Sequence, residues 1–129
     1  MADPSLAERI KGASPEAAAQ AITRFESAAR EARGCAVLGP RGVLAASGPA
    51  AHWEEAGRAV LRAADAAAGS EATHAHVATE EGEVFAVRSG ELAMVAVTSR
   101  YTLASLVFAD MRAALRHADS AASPAAEAA

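Results

Sequence analysis

Thr73-His-Ala-His-Val-Ala-Thr79, Glu83-Val-Phe-Ala-Val-Arg88 and Glu91-Leu-Ala-Met-Val-Ala-Val-Thr98 are three strand-like runs in a row, joined only by Glu80-Glu81-Gly82 and Ser89-Gly90. A parallel crossover needs a dozen residues or more, so joints this short demand an antiparallel meander. Directly after it, Leu103, Leu106, Val107, Met111, Ala114 and Leu115 recur at helical spacing, which predicts a helix over about residues 102–118.

Upstream, Ser14-Pro15-Glu16 reads as a helix start. Ser caps free amides, Pro suits the first helical position and Glu complements the dipole. Ile22, Phe25, Ala29 and Ala32 share a face of that helix, which is expected to run to Ala32 and stop at Gly34. Cys35-Ala-Val-Leu38 and Val43-Leu-Ala-Ala-Ser47 then form a hairpin around Gly39-Pro-Arg-Gly42. A second helix follows over residues 51–68, with Trp53, Gly57, Val60, Ala64 and Ala67 along one stripe, and Gly69-Ser70 ends it.

The order α-β-β-α-β-β-β-α predicts an α+β sandwich on one five-stranded antiparallel sheet. Leu92-Ala-Met-Val-Ala-Val97 and Cys35-Ala-Val-Leu38 are apolar at every position, as strands buried on both faces are. Residues 73–79 alternate instead, with His74, His76 and Ala78 on one side and Ala75 and Val77 on the other, an edge-strand pattern. Setting the two apolar strands side by side gives the strand order 2-1-5-4-3. The first and third helices then cover one face and the second helix the other. The third strand becomes an edge with free backbone groups.

A chain of 129 residues is expected to form one domain over residues 14–118, with a lead-in over 1–13 and a disordered Ala/Ser/Pro/Glu tail over 119–129. Of its apolar residues 39 are alanine, leaving 28 larger side chains, so the core is lean. That fits extra burial in an oligomer. It fits equally the codon bias of a GC-rich genome, which eleven Arg against one Lys and no Asn also suggest. The net charge of −4 is spread along the chain without a basic stripe, which argues against nucleic acid as a partner. No apolar run approaches the roughly 20 residues that span a bilayer, and the N-terminus lacks the layout of a signal peptide. With Cys35 as its single cysteine, the chain is expected to work in the cytoplasm.

Gly34-Cys-Ala-Val-Leu-Gly-Pro-Arg-Gly-Val-Leu-Ala-Ala-Ser-Gly48 resembles the glycine-started first hairpin of the roadblock/LC7 family. Leu92-Ala-Met-Val-Ala-Val97 followed by Leu103-Ala-Ser-Leu-Val107 is similar to that family's last strand and closing helix. The resemblance spans residues 15–118 by element order and length. It departs at the first turn, where many members carry Asp-Gly and this chain has Pro40-Arg41-Gly42. It implies a profilin-like or longin-like fold and a homodimer, or a heterodimer with a paralogue, whose third strands pair edge to edge and whose second helices pack side by side. It further implies a scaffold or regulator of a small Ras-like GTPase or signalling complex, without chemistry of its own.

Trp53, Gly57, Val60, Ala64, His74, His76 and Val77 are accordingly the expected interface residues. Each also has a plainer reading. Trp53 can anchor the rim of the core rather than a partner surface, and an Ala-rich helix shows a small-residue stripe by chance. His74 and His76 lie about 7 Å apart along one strand face, within reach of a shared metal with Glu80 or Glu81, yet they also suit a polar strand face. Cys35 reads as a small buried hydrophobe, since nothing places a base beside it. Gly39-Pro-Arg-Gly42 lacks the Lys-Ser/Thr ending of a phosphate loop. No catalytic residue, cofactor or metal is therefore assigned, and the chain is not read as an enzyme. The alternative function is a small-molecule sensor domain of PAS or GAF type, which requires a roomy pocket beside the sheet.

Overall fold

The computed structural model describes residues 14–122. The expected lead-in over 1–13 and the last seven residues of the expected tail lie outside them. Helix α1 covers Pro15–Ala28, and the Ser14 hydroxyl accepts the Ala17 amide at its start. Strands β1 (Ala32–Gly39) and β2 (Gly42–Ala46) form the first hairpin. Helix α2 spans Ala50–Ala68 and ends on Gly69, whose φ of 75° is left-handed. The meander consists of β3 (His74–Ala78), β4 (Glu83–Ser89) and β5 (Leu92–Thr98), and α3 (Ala104–Ala122) closes the chain.

The sheet has the order β2-β1-β5-β4-β3, and every neighbouring pair is antiparallel. This is the order that the apolar patterning predicts. The two central strands pair from Ala32↔Thr98 to Leu38↔Ala93. Neither strand meets water along most of its length, which is why neither sequence alternates.

Two boundaries differ from expectation. Helix α1 stops four residues early, and Gly34 lies inside β1 instead of beyond a helix end. The reason is a close approach: a Cβ on Gly34 would sit 3.0 Å from Cζ2 of Trp53. Glycine is needed there for the indole to lie on the strand. At the other end, α3 continues to Ala122, past the expected limit at Ala118.

The two sheet faces are covered unequally. On one, α1 and α3 bury Phe25, Phe85, Met94, Met111 and Leu115 completely. Fully buried alanines, Ala18, Ala21 and Ala118, belong to the same cluster, so the helices come close without large side chains. On the other face the buried cluster is Leu38, Ala86, Ala93 and Val95, beside small Ala36, and α2 lays half-exposed Val60 and Leu61 over it. The thin layer follows from composition: in α2 only Gly57 is buried. Met111→Ala should therefore cost about 2–5 kcal/mol in chemical denaturation, whereas Val60→Ala should cost about 1 kcal/mol or less. Equal losses would contradict this division of the core.

Candidate interaction surface

Strand β3 is an edge: its one neighbour in the sheet is β4. The bonds Arg88 N–H to Thr73 O and Thr79 N–H to Gly82 O fix the alternation along this pair. The odd-numbered residues 73–79 turn their backbone groups to β4, and His74, His76 and Ala78 turn theirs outward. Val77 lies beside them on the α2 side of the sheet with its side chain 49% exposed. A strand with outward donors and acceptors and an exposed β-branched side chain is a template for another strand.

The residues expected at the interface do not all lie together. His74, His76 and Val77 are on the edge strand. Gly57 instead faces the chain's own sheet, where an added Cβ would meet Leu38 Cδ1 at 2.8 Å. Val60 packs on the same inner cluster, and Ala64 is half-buried. The stripe through Trp53, Gly57, Val60 and Ala64 is therefore the inward stripe of α2, because the sheet accepts a helix backbone most closely where Cβ is missing. The outward side of α2 carries exposed Ala56, Ala59, Ala63 and Ala67.

Trp53 ties α2 to the first hairpin. Its Nε1–H donates to Ser47 O at 3.0 Å, and its ring is half-buried. Ser47 Oγ in turn accepts the Cys35 amide at 2.7 Å. The far end of α2 is held by charge. Arg88 Nη1–H and Nη2–H donate to Asp65 Oδ1 and Oδ2 at 2.7 and 3.0 Å, and Nη1–H also reaches Ala72 O at 2.7 Å. That bidentate bond holds the Asp65 carboxyl below its ordinary value. Patterning overlooked this clamp because Arg88 and Asp65 are 23 residues apart.

The two histidines share Phe108 as a ring neighbour but bring no common set of metal ligands together. His74 is edge-on to Phe108, with ring centroids 5.1 Å apart. His76 stacks on Phe85 at 4.3 Å and pairs through Nε2 with Glu83 Oε1 at 2.8 Å. The carboxylate that reaches His76 is thus Glu83, not Glu80 or Glu81. Among the described residues no group of three His, Cys, Asp or Glu is placed to hold a metal ion. Cys35 is buried, and burial pushes its thiol up to about 12, so it stays protonated at neutral pH.

Glu83 joins three elements. Its Oε2 accepts both the hydroxyl and the amide (2.8 Å) of Thr102, in the loop before α3, while Oε1 faces His76 on β3. The Thr102 hydroxyl, then its amide, then His76 bring the Glu83 carboxyl down to about 2, against opposition from burial. The signal in the sequence was the alternation of β4, which sets Glu83 on the same face as buried Phe85 and Val87.

No protein-family model matches the sequence, and no curated protein matches it. Solved structures match its fold. A roadblock/LC7 domain from Streptomyces avermitilis superposes with a TM-score of 0.62 at 13% identity, over 74% of this chain and 89% of that one. MglB of Myxococcus xanthus gives 0.60 at 14%, over 79% and 90%. The gliding protein MglB of Thermus thermophilus gives 0.60 at 19%, over 99% and 100%. The chain has the roadblock/LC7 fold, as the resemblance in its first hairpin and closing helix implies. Among the described residues no helix is long and apolar enough to cross a membrane.

A folded-state value below the ordinary 4.5 means that Glu83 contributes its full stabilisation above pH 4.5 and loses it as pH falls toward 2. The thermal midpoint of Glu83→Gln should lie below that of the unmodified protein at neutral pH and converge with it across that acid window. Parallel curves would show that Glu83 is not the group titrating there.

Proposed function

We propose that this chain is a non-catalytic roadblock-type scaffold or regulator that works in the cytoplasm as a dimer, with itself or a paralogue, on a small Ras-like GTPase or comparable signalling complex. The observation that carries this reading is the outward edge of β3 at His74, His76 and Ala78, beside exposed Val77. Edge-to-edge pairing of two such strands would continue the sheet across a twofold axis, a closed and self-complementary contact. The thin cover over the α2 face supports it further, because a second α2 laid against the outward alanines would thicken that layer. The fold shared with roadblock/LC7 and MglB structures supports the scaffold class.

The ligand-sensor reading needs a chamber beside the sheet. Phe25, Phe85, Met94, Met111 and Leu115, all fully buried, fill the α1/α3 side of the sheet with core instead. An enzyme built on Cys35 has no support in a buried, protonated thiol.

Light scattering on a size-exclusion column should give twice the chain mass at micromolar concentration. Val77→Glu, which places like charges across the twofold on an already exposed site, should give a folded monomer. A strict monomer before substitution, or an unaltered dimer after it, would overturn the assignment of the β3 edge.

A further inference from the structure

Among the described residues four large apolar side chains are strongly exposed, and three of them fall within one short segment: Tyr101 at 85%, Leu103 at 67% and Leu106 at 56%. Leu103, the residue before α3, and Leu106, in its first turn, lie three residues apart on the sheet face opposite α2. The backbone here is also unusual. Tyr101 has a φ of 62°, and it is the one described residue other than glycine in the left-handed region. For a bulky side chain that conformation costs about 1–2 kcal/mol and persists only where its surroundings enforce it.

The enforcing contacts lie on either side. Thr102 is held through its amide and hydroxyl by the buried Glu83 carboxylate, and the Ser99 amide donates to Glu31 O at 3.0 Å. Two charge-assisted hydrogen bonds thus fix a strained residue whose ring then packs against nothing in the core. The ring is thereby held outward, 85% exposed.

Arg100 completes the surface. Its guanidinium carbon lies 4.6 Å from the Tyr101 ring centroid, and its Nη2–H donates to the Tyr101 hydroxyl. It makes no ion pair with a described carboxylate. A guanidinium stacked on an aromatic ring keeps in-plane N–H groups for a carboxylate. Alongside opens a shallow cleft of about 590 Å³, lined by Arg100, Tyr101 and Thr102 together with Ala78, Glu80 and Glu83, the last with its carboxylate already taken up by Thr102 and His76.

We propose that Arg100, Tyr101, Leu103 and Leu106 form a docking surface for an acidic amphipathic segment of another protein, which sets apolar side chains on Tyr101 and the two leucines and a carboxylate on Arg100. The exposed tyrosine is the anchor, as aromatic residues are at binding hot spots. The Arg100 guanidinium, in no ion pair with a described carboxylate, is the group that receives the partner's carboxylate. The cleft reaches the β3 edge at Ala78, but none of the four docking residues lies on β3.

The test titrates the ¹⁵N-labelled full chain with two acetylated helix-forming peptides that share a leucine stripe and differ in flanking Glu or Lys. The Glu peptide should move the amides of residues 99–107 saturably, and the Lys peptide should bind at least about tenfold more weakly. Arg100→Glu should reverse that preference. Tyr101→Gly should weaken the Glu peptide at least about tenfold, yet raise the thermal midpoint, since glycine accepts the left-handed backbone without strain. A merely structural tyrosine would lower the midpoint on removal. Equal binding of both peptides, shifts confined elsewhere, no binding at millimolar peptide, or a change in molecular mass with Tyr101→Gly would each overturn the proposal, the last by assigning the surface to contact between copies of this chain.

Discussion

The pairing of β1 with β5 is the constraint on which everything else depends. These two strands meet over Ala32 to Leu38 and Ala93 to Thr98, at the centre of the sheet and at the junction of both chain halves. One comes from the first hairpin and the other from the meander, so the halves become one sheet only through this contact. Their continuous apolar runs leave no register that keeps both faces dry other than a central position. Once they pair, β2 and β3 fall to the two edges.

The edges are treated differently. Strand β2 is contacted by both α1 and α2, which pack on the sheet above and below it. Strand β3 touches α2 only slightly, and its outer backbone groups point away from the molecule. The same imbalance recurs in the layers, with a dense face under α1 and α3 and a thin one under α2. Alanine explains both. It lets α1 and α3 close tightly on the sheet, but along α2 it supplies too little apolar volume to finish the second face.

Element order, strand order and the edge character of β3 were legible in the sequence, because each follows from short joints and from alternation or its absence. The direction of the α2 stripe was not. Gly57 and Val60 fit a seam between two helices as well as a seat on a sheet, and periodicity carries no information about which surface lies opposite. Gly34 misled for a related reason: a glycine after a helix suits a stop, and only the three-dimensional position of Trp53 reveals the close approach that requires it. Glu80 and Glu81 are nearer to His76 in sequence, but the turn between β3 and β4 returns Glu83 to it across the strand pair. The left-handed Tyr101 leaves no trace in the sequence, since its conformation is imposed by Glu83, whose bond to Thr102 spans 19 residues of chain.

The proposed assembly surface is the outer edge of β3. Residue-resolved amide hydrogen exchange reads that edge directly, because neighbouring amides on one strand act as each other's controls. The amides of Ala75 and Val77, turned toward β4, should exchange slowly at every concentration. Those of His74, His76 and Ala78 should become equally protected as the protein concentration rises through the micromolar range. Rapid exchange of these three at all concentrations, with Ala75 and Val77 still protected, would leave the edge in water and contradict the account.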